Sequence, residues 1–204
     1  MTVARGIASE TTRWRGLRVG LLGGSFNPAH EGHRHIAETA LKALDLHAVW
    51  LMVSPGNPLK DPLSMASFND RLKSAKQQAG HPMVFASDIE QKLGTCRTAD
   101  TLDALQTAMP ETNFIWLMGA DNMQQFDRWF AWQKIVDLLP IAIFDRPTYS
   151  IAALTSRFAR TYASRRTHPG KIWRKATPAW CFVTLPRHHA SATAVRARQA
   201  LPDG

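Results

Sequence analysis

Cysteine is scarce in this chain: Cys96 and Cys181 stand alone among 204 residues, with no C-x-x-C and no metal-ligand spacing. That pattern excludes a disulfide-stapled scaffold and a zinc ribbon, and it predicts reduced thiols in a cytoplasmic enzyme. Long apolar runs are missing as well. None approaches the ~18 residues that cross a bilayer, and no signal-peptide core is expected, so no membrane partner is predicted. Internal repeats are absent. Acid is missing from one region: residues 146–202 carry 11 Lys/Arg and no Asp or Glu, against 14 Lys/Arg and 15 Asp/Glu in residues 1–145. A basic third beside a balanced remainder points to polyanions such as nucleotides, phosphorylated substrates or nucleic acid. Arg157, Arg160, Arg165, Arg166, Lys171, Arg174 and Lys175 run through a polar stretch with Ser164, Thr167, Pro169 and Gly170. That run reads as a solvated, mobile linker at about 162–176. It lacks base-stacking aromatics apart from Trp173, so nucleic acid is not an expected partner.

What is present is enough apolar sequence, 45% of the chain, for the core of one α/β domain, predicted over 17–204 behind a loose extension at 1–16. Buried-strand runs at 17–22, 48–53, 83–86, 113–118, 141–144 and 180–184 alternate with helical patterns at about 33–44, 67–78, 98–108, 123–138 and 151–161, with a last helix from Ser191. Such alternation predicts a doubly wound, Rossmann-like parallel sheet with helices on both faces. Ligands of these sheets bind outside the carboxyl ends of the strands, at the point where strand order reverses.

The stretch Gly23-Gly24-Ser25-Phe26-Asn27-Pro28-Ala29-His30-Glu31-Gly32-His33 falls at one of those ends, between the first strand and the first long helix. Glycines allow a sharp turn and close approach to a ligand, and a helix start offers unpaired N–H groups and a positive dipole end. Two imidazoles there suit a polyphosphate whose charge shifts during reaction. The spacing is not the H-E-x-x-H of a metalloprotease, and His35 reads as a solvated helix residue. The eleven positions resemble the GGxFxPxHxGH signature of the nucleotidyltransferase superfamily, whose members transfer an adenylyl or cytidylyl group. Near the other end, Ser191-Ala192-Thr193-Ala194-Val195-Arg196 resembles the closing S-[ST]-T-x-[IV]-R motif of the same superfamily, with Ala192 where a second serine is common. Hydroxyls at a helix start and a planar guanidinium both suit a phosphate.

Gly119-Ala120-Asp121-Asn122, followed by Phe126, Trp129 and Trp132, narrows the resemblance to one branch. The G-x-D-x(7)-W pattern of Gly119, Asp121 and Trp129 is similar to bacterial nicotinate-nucleotide adenylyltransferases, over about residues 17–200. The resemblance implies ATP and nicotinate mononucleotide as substrates, and magnesium carried by ATP. His33 is implied at the α-phosphate, and His30 and Arg196 at the β- and γ-phosphates, with Ser191 and Thr193 beside them. Gly23, Gly24, Ser25, Phe26, Gly119 and Asp121 are implied to complete the ATP site. In that family an aromatic stacks on the pyridine ring while backbone N–H groups hold its carboxylate. Trp129 and Phe130 stand at those positions, and Phe126 and Trp132 read as core. Asn57 and Lys60 in the proline-rich loop after the second strand, Thr98 at a helix start, and Arg146 are implied around the mononucleotide. Three other readings remain open: a pantetheine-phosphate adenylyltransferase, a nicotinamide-mononucleotide adenylyltransferase and, more distantly, a nucleic-acid-binding module.

Overall fold

Six parallel strands make one sheet in the order β3-β2-β1-β4-β5-β6 in the computed structural model, which describes residues 8–56, 65–145 and 149–185. They are β1 (Arg18–Gly24), β2 (Ala48–Val53), β3 (Val84–Ser87), β4 (Asn113–Gly119), β5 (Ile141–Phe144) and β6 (Trp180–Val183). Every residue of β2 and of β5 is buried. Continuous apolar runs without alternation are what a strand covered on both faces requires. Strand order reverses between β1 and β4, which lie side by side with Leu22 level with Leu117. The doubly wound parallel sheet expected from sequence is therefore the observed fold.

The two faces carry separate cores. On one, α2 (Glu31–Ala43) and α3 (Phe68–Ala79) set Ile36, Ala37, Ala40, Ala75 and Ala79 against Leu22, Val49, Leu51 and Leu117. On the other lie α4 (Ile89–Leu93), α5 (Thr98–Ala108), α6 (Ala120–Met123), α7 (Trp132–Leu138), α8 (Ser150–Leu154) and α9 (Arg157–Thr161). They cover Leu21, Trp50, Met52 and Trp116 with Ile89, Leu102, Leu105, Ile135 and Phe158. α5 has the bounds its periodicity predicts, and α3 starts behind Ser67, whose hydroxyl accepts from Asp70 N at 3.2 Å.

Four sequence expectations differ from the structure. The loose extension is helical over α1 (Ala8–Trp14), and Trp14 is buried edge-on against Trp50 and Phe85. One large aromatic on an otherwise polar segment is enough to dock it. The helix expected over 123–138 is broken into α6, a 3₁₀ turn at Phe126–Arg128 and α7, because Ala131 takes a left-handed conformation (φ 48°). The helix expected over 151–161 divides at Thr155-Ser156, where Ser156 caps α9 by accepting from Ala159 N. The basic linker is structured: it forms 3₁₀ turns at Ala163–Arg165 and Pro169–Arg174. Ile172 is fully buried, and Trp173 Nε1 donates to Leu44 O at 2.7 Å. Its Arg165, Arg166, Lys171, Arg174 and Lys175 are exposed, as a solvated run should be. Among the described residues no helix is long and apolar enough to cross a membrane.

Candidate active site

The carboxyl end of β1 delivers Gly23 and Gly24 beside the end of β4, and continuing their register sets Gly24 level with Gly119. A side chain on Gly23 would meet Trp116 Cη2 at 2.3 Å, so only glycine lets β1 end against that ring. The chain then reverses through Phe26, itself left-handed (φ 47°) and buried, and through the buried Ser25. It enters α2 at His30, which fills the N-cap position usually taken by Ser, Thr, Asp or Asn.

The two histidines fix one another. His30 Nδ1 accepts from Gly32 N at 3.1 Å, and His33 Nδ1 accepts from His30 N at 3.2 Å. Their rings lie 3.8 Å apart between centroids, and Phe26 flanks His33 at 4.8 Å. A neutral imidazole whose Nδ1 accepts carries its proton on Nε2. Both rings are thus held as Nε2 donors at the positive end of a 13-residue helix, the arrangement an anion needs.

A residue not singled out from sequence organises the surrounding loops. The guanidinium of Arg71 on α3 is buried, 3% exposed. It donates to Ser25 O (2.8 Å), Ser54 O (2.7 Å), Pro55 O (3.1 Å) and Ala66 O (3.1 Å). Burial lowers its pKa, but an arginine stays charged. The loop after β1 and the loop after β2 are therefore joined through one cation. The signal was available: Arg71, Ala75 and Ala79 share the buried stripe of α3, where an arginine needs an explanation. Ser74 Oγ accepts from Ala29 N and Asn27 Oδ1 from Ala66 N, both at 3.0 Å, tying the same turn to α3.

The opposite face of the sheet carries the aromatic segment. Phe126 and Trp132 are core, as expected. Trp129 is half-buried, edge-on to Phe126 (5.4 Å) and to Trp116 (6.4 Å). Phe130 is 56% exposed, and the Arg97 guanidinium lies 4.2 Å from its ring centroid. Arg97 directly precedes Thr98, the half-buried first residue of α5, so the Arg97–Phe130 contact sets the start of α5 beside the aromatic segment. Asp121 is half-buried on α6, two residues past Gly119. Beneath this side, Glu90 Oε2 and Trp116 Nε1 are buried without hydrogen-bond partners among the described residues. Burial pushes the Glu90 carboxyl up to about 7, and a hydrogen bond with Ser54 opposes the shift. Burial likewise pushes Cys181 up to about 12, which leaves it an inert thiol.

The histidines with α2 and α3 thus sit over one face of the sheet, and Thr98 with Trp129 over the other. The histidines follow the end of β1, and Trp129 stands edge-on to Trp116 of the neighbouring β4. Asn57, Lys60, Arg146, Ser191, Thr193 and Arg196 lie outside the described residues.

Comparison with known proteins agrees with this architecture. The sequence model of the cytidylyltransferase-like family matches residues 21–198. A protein of Cereibacter sphaeroides described as a probable nicotinate-nucleotide adenylyltransferase is 48% identical over 179 residues, covering 88% of this chain and 96% of its own. A Rhizobium johnstonii protein of the same description is 44% identical over 185 residues, covering 89% of this chain and 93% of its own. The solved structure of Plasmodium falciparum nicotinic acid mononucleotide adenylyltransferase complexed with NaAD shares the fold at a TM-score of 0.69. It is 16% identical, with 89% of this chain and 83% of that one covered.

Proposed function

The chain belongs to the cytidylyltransferase-like family, and from that membership we propose that it transfers the adenylyl group of ATP to nicotinate mononucleotide, releasing pyrophosphate and deamido-NAD. The curated relatives, matched over most of their length, carry that activity in their descriptions. The observation that carries the reading for this chain is the pair of imidazoles fixed as Nε2 donors on the α2 N-terminus at the sheet's switch point.

The chemistry follows from charge. An oxygen of the mononucleotide phosphate, already anionic at neutral pH, attacks the α-phosphorus of ATP. The bond from that phosphorus to the bridging oxygen breaks, and its electron pair leaves with pyrophosphate. No general base is required. The barrier lies in bringing two anions together and in stabilising charge on the α-phosphate and the leaving group, which is work for positioning and fixed dipoles. His33, the more exposed of the two rings, faces the α-phosphate. His30 and Arg196 hold the β- and γ-phosphates, with Ser191 and Thr193. Gly23, Gly24, Ser25 and Phe26 shape the turn around the triphosphate, while Gly119 and Asp121 border the adenosine. Thr98, Trp129 and Phe130 take the pyridine ring, and Asn57, Lys60 and Arg146 take the mononucleotide phosphate.

Magnesium enters with ATP as part of the substrate. It is a hard cation that keeps oxygen ligands and water. Phosphate oxygens of ATP and water would then supply its shell.

The test is pyrophosphate release from Mg-ATP with nicotinate mononucleotide, nicotinamide mononucleotide or phosphopantetheine supplied one at a time. Strong preference for the first is the expected result. Activity with phosphopantetheine alone would overturn the assignment of the Trp129 side to a pyridine ring, and silence with all three would overturn the activity.

A further inference from the structure

We propose that Arg97, whose guanidinium sits over the Phe130 ring, is the residue that makes this chain prefer a pyridine ring bearing a carboxylate over one bearing an amide. The proposal rests on the reading of Thr98, Trp129 and Phe130 as the acceptor-ring pocket and adds to it a charged selector.

The Arg97 guanidinium carbon lies 4.2 Å from the Phe130 centroid. A guanidinium held over a ring face by its charge does not spend its N–H groups on that contact, and they remain for other partners. Those N–H groups form the fork that matches a carboxylate in bidentate fashion. Among the described residues, no carboxylate lies within ion-pair distance of Arg97, including Asp100 one turn along α5 and Asp127 in the aromatic segment. Its side chain makes no capping bond to α5 either. The cation is thus positioned by an aromatic rather than neutralised by an acid. Its place is fixed from two directions: by the chain, because it precedes Thr98, and by space, because Phe130 follows Trp129.

The two candidate rings differ at one substituent. Nicotinate mononucleotide presents a carboxylate there, and nicotinamide mononucleotide presents a neutral amide of nearly the same shape. Packing alone discriminates poorly between isosteres, whereas a charge–charge hydrogen bond discriminates well. The α5 N-terminus, beginning at Thr98, adds a dipole of the same sign. Arg97 and Phe130 are both exposed, so each can be changed without opening the core.

The experiment compares the kcat/KM ratio for nicotinate over nicotinamide mononucleotide in the wild type, R97Q, R97K, F130L and W129A. The nicotinamide compound is also assayed as a competitor, so that a poor acceptor still gives a value. In R97Q the ratio is expected to fall about tenfold, the effect of losing one charge-assisted hydrogen bond at a half-wet site, with the loss in KM for nicotinate mononucleotide. R97K keeps the charge but not the fork or the stacking, and it should retain part of the ratio. F130L removes the platform and should lose part of it. Raising salt should narrow the gap between wild type and R97Q. An unchanged ratio in R97Q overturns the proposal. W129A then separates two failures: raised KM for both acceptors keeps the pocket and rejects only Arg97, while unaltered KM for both rejects the pocket itself.

Discussion

Arg71 Nη1 lies 2.8 Å from the carbonyl oxygen of Ser25 and 2.7 Å from that of Ser54, so one buried guanidinium joins the turn after β1 to the turn after β2. The first turn leads into His30, and the second leads toward Asn57 and Lys60. The two loops proposed to face substrate therefore share a buried fixed point, beside the backbone bond from Ser54 N to Gly24 O. Arg71→Lys keeps the charge, but a point-like ammonium on a flexible stem cannot span four carbonyls. It is expected to lower kcat about tenfold, as slight misplacement of reacting groups does, while KM for ATP changes less. Arg71→Met leaves the carbonyls unsatisfied and should cost roughly 3 kcal/mol of stability. Steady-state kinetics on the lysine variant and urea unfolding on the methionine variant check these. Wild-type kcat in Arg71→Lys would show that the loops hold their positions without it.

His30 and His33 are adjacent yet should fail differently. On the proposed reading His33→Ala removes a donor to the reacting phosphate, and turnover should fall by roughly 10²–10³ with modest change in KM for ATP. His30→Ala removes the acceptor for Gly32 N and, on the same reading, a ligand for the outer phosphates. It should raise KM for ATP and lower stability by about 1 kcal/mol, the ordinary cost of a lost N-cap. Kinetics and thermal melts on the two variants, measured together, separate the roles; equal losses of kcat in both would dissolve the distinction.

Much of this arrangement is legible in the chain itself. Continuous apolar runs such as Ala48–Val53 and Ile141–Phe144 can only be buried parallel strands, and Thr98–Ala108 shows its helical face without ambiguity. The turn from Gly23 to His33 reads as an anion site because its residue types have few other uses together. What stays hidden has physical reasons. The break at Ala131 lets Phe126 and Trp132 nest against Phe158 while Trp129 packs on Phe126, a tertiary demand that overrides helical periodicity. Ile172 and Trp173 pin a run that composition marks as solvated, because two apolar anchors outweigh the surrounding charge only when a groove is waiting for them. Arg97 looks like any surface arginine until Phe130 is placed beneath it.

Gly23 and Trp116 give a test of the floor of the site. A Cβ at position 23 would lie 2.3 Å from Trp116 Cη2, and that ring stands edge-on to Trp129. Gly23→Ala must therefore push a buried indole, and overpacking of this kind typically costs about 1–3 kcal/mol. The displacement also reaches the proposed acceptor pocket. The expected outcome is a lower melting temperature together with a raised KM for nicotinate mononucleotide. An unaltered melting temperature would mean that β1 and β4 can separate locally to admit the methyl group.

Glu90 makes the stability of the fold depend on pH in a predictable direction. Its carboxyl is pushed from 4.5 up to about 7 by burial, and its Oε2 has no partner among the described residues. Below pH 4.5 the group is protonated in both folded and unfolded chains and carries no penalty. As pH rises from there to about 7, the unfolded chain releases the proton while the folded chain retains it, so stability falls. Above the folded value the loss levels off at up to about 3 kcal/mol. Glu90→Gln keeps the shape and never ionises, so its unfolding free energy should lack this slope. The difference between variant and wild type should therefore widen in the variant's favour between pH 4.5 and 7 and stay constant beyond it. Urea titrations at five or so pH values would show it. Parallel pH profiles for the two proteins would mean that Glu90 ionises freely in the folded chain, and that Ser54 and its neighbours solvate the charge.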